Sequence, residues 1–111
     1  MNESLGALRR IQGVHGAAIV SRDGQVIESS LGKGAEQEVT GSLAAAIFGA
    51  VGQALERLDL GDLSNCIFEG QHGAVHMLGS GDHVLLVVTA KQANVGLVRL
   101  GLQRAAAALI A

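Results

Sequence analysis

The amino-acid sequence predicts an α+β fold of three layers, in which helices cover both faces of a five-stranded antiparallel sheet. Apolar residues recur at helical spacing in three segments, and five short runs are rich in Val, Ile, Leu and Ala. Short turns containing Gly separate most of these runs, as they do between antiparallel neighbours. The 111 residues contain no Pro and no break in composition, so we expect a single domain over residues 1–111.

A short helix is expected at the beginning of the chain. Leu5, Leu8 and Ile11 recur every three residues. Ser4 precedes them and is a residue type that caps helices. Gly13 is expected to end this helix.

A β-hairpin is expected next. Residues 14–21 are rich in Val, Ile and Ala and predict the first strand. Asp23-Gly24 suits the positive backbone angles of a tight turn, so residues 25–30 return as the second strand. Residues 31–34 are a flexible connection.

A long helix is predicted from about Ala35 to Leu58. Apolar residues at helical spacing are expected to face a core, so one side of this helix should pack on the sheet. We name that side the aliphatic stripe, and its members are Val39, Leu43, Ala46, Ile47, Ala50, Ala54 and Leu58.

Three more strands and a closing helix complete the predicted order α-β-β-α-β-β-β-α. The strands are residues 63–69, 74–78 and 83–89. The last of them is apolar on both faces, which is typical of a central strand covered on both sides. The closing helix is capped by Asn94, and its apolar side consists of Val95, Val98, Leu102, Ala105, Ala106 and Leu109.

Composition excludes several classes of function. Hydrophobic residues make up 49% of the chain and the mean hydropathy is +0.38, so this apolar surface requires a membrane, a pocket or another chain to cover it. No run approaches the roughly 20 apolar residues that cross a bilayer, and the first residues do not resemble a signal peptide. A net charge of −2 and only two aromatic residues are unlike a nucleic-acid binder. A lone Cys fits a reducing, cytoplasmic location.

The residues predict no catalytic group, no metal site and no cofactor. Lys33 is followed by Gly rather than by the Ser or Thr of a phosphate-binding loop. His72 and His76 are about 13 Å apart along a strand, too far to share one ion, and His76 and His83 form only a pair. Cys66 lies among aliphatic residues and is interpreted as a small buried hydrophobe.

The long helix also contains residues with little or no side chain. Each Gly inside a helix costs about 1 kcal/mol relative to Ala, so their presence needs a compensating contact. Four such positions fall within an arc of about 80°, which lets another helix approach closely. We name them the small-residue stripe, and they are Gly41, Ala45, Gly49 and Gly52. Phe48 lies at its edge, as a core residue or as an anchor for a partner.

The strand 63–69 is expected at an edge of the sheet. It has no Lys or Pro, and Glu69 is its only charge, whereas exposed edges usually carry such protection against pairing. The strand is therefore covered or pairs with another chain. We place Asn65 and Ile67 in a dimer interface together with Phe48 and the small-residue stripe.

Two segments resemble the roadblock / dynein light chain domain family, including its prokaryotic, MglB-like members. The first is Ile11 to Gly24, in which a Gly-Val-x-Gly-Ala strand runs into an Asp-Gly hairpin. The second runs from Leu85 to Arg99, across the last strand and into the closing helix. The predicted order of elements is similar to the family's over essentially the whole chain, and the resemblance implies a profilin-like fold.

The resemblance implies a partner as well as a fold. Domains of this family form homodimers or heterodimers with a sister domain, in which the long helices pack side by side and edge strands join the two sheets. The family generally binds small GTPases, and its MglB-like members act by repositioning the GTPase's own residues. No catalytic residue is therefore carried over. Gln53, Glu56 and Arg57 are the expected surface for a Ras-like GTPase.

One alternative function remains open at this point. A small-molecule sensor or carrier would use an apolar pocket between the sheet and a helix. It would need polar groups that converge on the pocket to orient the ligand.

Overall fold

The computed structural model describes residues 2–31 and 37–110. In chain order the elements are α1 (Asn2–Arg9), β1 (Val14–Ser21), β2 (Val26–Ser30), α2 (Gln37–Arg57), β3 (Asn65–Glu69), β4 (Gly73–Ser80), β5 (His83–Ala90) and α3 (Val95–Ile110). The predicted order of elements is confirmed. The predicted beginning of the long helix at Ala35 and most of the connection 31–34 lie outside the described residues.

The five strands form one antiparallel sheet in the order β2-β1-β5-β4-β3. Strand β5 is therefore central, as its apolar character on both faces predicted, and Val84 to Val87 are at most 1% exposed. Strand β3 is at the edge, which was also predicted. It begins at Asn65 rather than at residue 63.

Helices cover both faces of the sheet, so the predicted three layers are confirmed. Alternate residues of the central strands point to opposite sides. On one side α1 and α3 pack on the sheet, where Leu8, Ile19, Leu85 and Val98 are fully buried. On the other side α2 packs on a second cluster of Ala18, Val20, Ala44, Phe48, Met77, Val84 and Leu86.

Two local sequence patterns adopt the structure that they predict. In the first hairpin Gly24 has a φ of +98°, and the Ser21 N–H donates to the Gln25 carbonyl oxygen at 2.8 Å. At the beginning of α3, the Asn94 Oδ1 accepts the N–H of Leu97 at 3.1 Å. This bond satisfies one of the amide groups that a helix leaves free at its N-terminus.

The prediction of which side of α2 packs on the sheet is wrong. Leu43 is 56% exposed and Leu58 67% exposed, and Ala46, Ala50 and Ala54 are exposed as well. The sheet is instead contacted from the opposite side of the helix, by Gly41, Ala44 and Phe48. A helix that is apolar on most of its circumference gives no pattern that separates its core side from its outer side.

Small residues on α2 let the helix approach the sheet of its own chain. A Cβ at Gly41 would collide with the Gly24 carbonyl oxygen and lie 2.9 Å from Val26 Cγ2. Phe48 is 3% exposed, and its ring lies against Gly79, where a Cβ would be 3.0 Å from Cζ. The assignment of Gly41 and Phe48 to a dimer interface is therefore corrected, because both are covered within the protomer.

Gly41→Ala and Gly49→Ala are expected to change stability in opposite directions. Alanine at 41 forces the helix away from the first hairpin and should cost about 1–3 kcal/mol, as other overpacked sites do. A Cβ at Gly49 meets no atom within 4 Å, so Gly49→Ala should stabilise by up to about 1 kcal/mol through helix propensity. Urea unfolding of both variants measures the difference, and equal effects would contradict this packing of α2.

Candidate interaction surface

The aliphatic stripe of α2 is an uncovered apolar surface. Three of its alanines, Ala46, Ala50 and Ala54, follow one another at intervals of one turn and are exposed, while Ile47 is half-buried. The side chain of Val39 lies outside the described residues. A row of small residues flanked by Leu43 and Leu58 has the shape on which a second helix can pack closely.

The edge strand β3 has backbone groups that point away from the sheet. The Gly79 N–H donates to the Ser64 carbonyl at 3.0 Å and the Gly70 N–H to the Gly73 carbonyl at 2.7 Å. Because hydrogen-bonded and non-bonded positions alternate in an antiparallel pair, even-numbered residues of β3 bond to β4. The backbone N–H and C=O groups of Asn65 and Ile67 therefore face outward, toward a position where no described strand lies.

The side chains of β3 extend the apolar surface on the α2 side of the sheet. Cys66 pairs with Met77 and Phe68 with Val75, and these neighbours belong to the α2-side cluster. Phe68 is 38% exposed. Burial raises the pKa of the Cys66 thiol, which keeps it protonated and poorly nucleophilic near neutral pH.

A groove of about 380 Å³ runs along one flank of α2, and we name it the flank groove. Phe48 lies in it, and the Arg22 guanidinium stands 5.2 Å from the centre of the Phe48 ring. Gly49 and Gly52 border the groove and leave it wide. Of the residues predicted to contact a GTPase, Gln53 and Glu56 line it. Arg57 does not; it is exposed on the side of the aliphatic stripe.

Within residues 2–31 and 37–110, no three His, Cys, Asp or Glu side chains come together in an arrangement that would hold a metal ion. His83 pairs across the β4–β5 turn with Ser80, whereas His76 pairs with Val87 further along the same strands. The two histidines therefore do not face each other. None of the described helices is long and apolar enough to span a bilayer.

His76 is buried beneath the beginning of α3, and its Nε2 lies 3.4 Å from the Thr89 Oγ1. Burial lowers the pKa of His76 from its ordinary 6.5; Glu69 opposes this shift and Arg99 adds to it. The folded protein therefore resists protonation at this site more than the unfolded chain does.

A decrease in pH is expected to destabilise the protein through His76. Below about pH 6.5 the unfolded chain binds a proton at this position and the folded chain does not, so the free energy of unfolding falls until the lower, folded-state pKa is passed. His76→Gln removes this contribution. Thermal unfolding at a series of pH values should show that the variant loses less stability than the wild type as the pH decreases. Equal losses of stability in the two proteins would rule out His76 as the cause.

Sequence reasoning missed the outer surface of α2. The periodic apolar stripe predicts a core position for Leu43, Ala46 and Ala50, whereas all three are exposed. The total apolar content of the helix indicates how many of its sides are covered. A helix that is apolar on most sides packs against other segments or chains on more than one side. Phe68 was missed as well, although its spacing of two from Cys66 places it on the same face of the sheet.

Comparison with known proteins places this geometry among related domains. A family model described as the Roadblock/LC7 domain matches residues 1–90. The uncharacterized protein MJ0714 of Methanocaldococcus jannaschii is 37% identical over 99 residues, which are 89% of this chain and 84% of the relative. MglB of Myxococcus xanthus superposes with a TM-score of 0.88 at 23% identity, over 98% of this chain and 93% of the other. Profilin II of Acanthamoeba castellanii has a TM-score of 0.64 at 19% identity, over 88% and 86% of the two chains, so the profilin-like fold is confirmed.

Proposed function

The chain belongs to the Roadblock/LC7 domain family, and from this membership we propose that it is a non-catalytic, homodimeric module that binds and regulates or scaffolds a Ras-like small GTPase. The observation that carries the proposal is the aliphatic stripe of α2, an apolar surface left uncovered in the described part of the single chain. Monomeric soluble proteins rarely leave such a surface in contact with water.

In the proposed dimer the two α2 helices pack side by side along their aliphatic stripes. Ala46, Ala50 and Ala54 allow a close approach of the helix backbones, and Leu43 fills the space beside them. The outward backbone groups of Asn65 and Ile67 pair with those of the second copy, which joins the two sheets. Phe68 is covered in the same contact. Asn65 and Ile67 keep the interface role that the sequence predicts, whereas Ala45, Gly49 and Gly52 lie on a different side of α2 from the aliphatic stripe.

The flank groove is the proposed contact surface for the GTPase. It lies beside the helix that forms the dimer, so the two copies present their grooves on one assembled body. Gln53 and Glu56 offer polar and acidic side chains at the groove, with the Phe48 ring beneath them. Such a surface supports binding and positioning, and the proposed role requires no catalytic residue from this chain.

Calorimetric titration with a Ras-like GTPase from the same organism tests this assignment. We expect binding in at least one nucleotide state, and about a tenfold or larger loss of affinity for Gln53→Lys/Glu56→Lys, which reverses the charge at the groove. Gln103→Lys is the control for an added lysine away from the groove, because it places one positive charge at an exposed position of α3 on the opposite face. Equal affinities of all three proteins would exclude the flank groove as the contact.

A further inference from the structure

We propose that a second contact forms between copies of this chain, in which the turn Asp59–Asp62 at the end of α2 in one copy docks in a basic groove between α1 and α3 of the next, on the opposite face of the sheet from α2. This contact is separate from the proposed helix-to-helix dimer. It uses a protruding turn on one molecule and a concave surface on its neighbour.

The receiving surface is a depression of about 530 Å³, which we name the basic groove. Ile11, Leu97 and Leu100 give it apolar walls, and Leu97 and Leu100 are 53% and 41% exposed. At its bottom α3 approaches the end of α1 closely, because a Cβ at Gly101 would lie 2.6 Å from Ile11 Cδ1. The groove is thus an apolar surface that the described parts of the chain leave uncovered.

The charge at the basic groove has one sign. Arg10 and Arg104 line it, and none of its lining residues is acidic. Among the described residues, neither guanidinium has an ion pair or a hydrogen bond. Helix α3, which carries Arg104, contains no Asp or Glu. The groove therefore favours an occupant that carries an apolar side chain together with carboxylates.

The turn after α2 offers this chemistry within the same chain. Its sequence is Asp59-Leu60-Gly61-Asp62, a leucine between two aspartates, and all four residues are exposed. Leu60 is 65% exposed, which is unusual for an aliphatic side chain of this size in a turn. Two carboxylates flanking one leucine complement two guanidinium groups that line an apolar groove.

The turn has a fixed conformation before it docks. The Leu60 N–H donates to the Leu55 carbonyl at 2.9 Å and the Asp59 N–H to the Glu56 carbonyl at 3.0 Å, which closes the end of α2. Asp59 has a φ of +58°, and Asp is one of the few residues that adopt this region readily. Little conformational entropy is therefore lost when Leu60 is inserted.

A contact between two different surfaces adds copies in series. Each molecule has one turn and one groove, so a bound copy leaves its own turn or groove free for the next. We therefore expect assemblies larger than two copies whose size increases with protein concentration. Because the contact depends on charge, we expect them to dissociate at about 1 M salt, where the screening length is about 3 Å.

Charge reversal and complementation test the contact by sedimentation velocity. Arg104→Glu and Asp62→Lys should each weaken assembly beyond two copies by about tenfold or more. An equal mixture of the two variants should regain it, because the intact groove of one meets the intact turn of the other. Leu60→Ser should weaken assembly without a change of charge.

Arg99→Glu is the matched control, because Arg99 is an exposed arginine of α3 that does not line the basic groove. It should assemble as the wild type does. If the wild-type assembly never exceeds the mass of two copies at low salt and high protein concentration, the proposal is overturned. Equal weakening by Arg99→Glu and Arg104→Glu, or no recovery in the mixture, would overturn it as well.

Discussion

Ala50→Arg is expected to convert the proposed homodimer into single, folded copies. Ala50 is exposed in the middle of the aliphatic stripe, so a long side chain there disturbs no contact within the protomer. In the proposed dimer the same side chain would hold two helices apart and bury a charge without a partner. Such burial costs several kcal/mol, so the affinity should fall by about 100-fold or more.

Sedimentation velocity measures this change, and circular dichroism reports whether the fold is intact. Gln103→Arg introduces the same charge on α3 at an exposed position of the opposite face and should leave the dimer unchanged. A dimer of unaltered affinity in Ala50→Arg would mean that the aliphatic stripe is not the helix-to-helix contact. The uncovered surface would then need a different partner, such as a sister roadblock domain.

Phe48→Ala is expected to lower the free energy of unfolding by about 3–5 kcal/mol, the usual range for truncating a buried Phe. Phe48 is the largest side chain through which α2 contacts the sheet, and it also supports the Arg22 guanidinium. A loss of this size is a large part of the roughly 5–15 kcal/mol that stabilises a typical domain. Urea unfolding of single-copy protein carrying Ala50→Arg measures it without a contribution from dimerisation.

Phe68→Ala in the same single-copy background is the matched control. Because Phe68 is 38% exposed at the edge of the sheet, its truncation should cost much less than that of Phe48. Equal losses for the two variants would contradict the placement of Phe48 in the core. They would also reopen its interpretation as an anchor for a partner.

Most of the fold could be predicted because local patterns and tertiary structure agree. The Asp23-Gly24 turn needs positive backbone angles, and Gly24 adopts one. The run of apolar residues in β5 needs cover on both faces, and the strand lies at the centre of the sheet. The low charge of β3, which contains Glu69 and no Lys or Arg, suits an edge that pairs, and the strand is at the edge.

The orientation of α2 could not be predicted because it depends on a contact distant in sequence. Gly41 packs on Gly24 of the first hairpin, and no pattern within the helix reveals which small residues meet another backbone. The same four positions of the small-residue stripe range from buried at Gly41 to exposed at Gly49. Of the Gly residues in the stripe, Gly41 is the one that another segment approaches closely, and that segment is the protomer's own first hairpin rather than a second helix.

The candidate contact surface for the GTPase likewise depends on residues that are distant in sequence. Gln53, Glu56 and Arg57 are near one another in sequence, and Arg57 follows Gln53 by about one helical turn, but only Gln53 and Glu56 line the flank groove. Gln53 and Glu56 gain a common role only through the flank groove, whose other wall includes Arg22 and Leu63. A surface built from three separate segments of the chain has no signature in any one of them.

The central proposal is that this chain binds a GTPase as a homodimer. The most direct test is one titration performed with both the wild type and a single-copy variant. A Ras-like GTPase, loaded in turn with GDP and with a GTP analogue, is titrated by calorimetry with the wild type and with Ala50→Arg. We expect the wild type to bind in at least one nucleotide state and the single-copy variant to bind far more weakly, because in the proposed complex the GTPase contacts the flank grooves that both copies present on one assembled body. Absence of binding by the wild type in both states, or equal binding by the two proteins, would contradict the proposal.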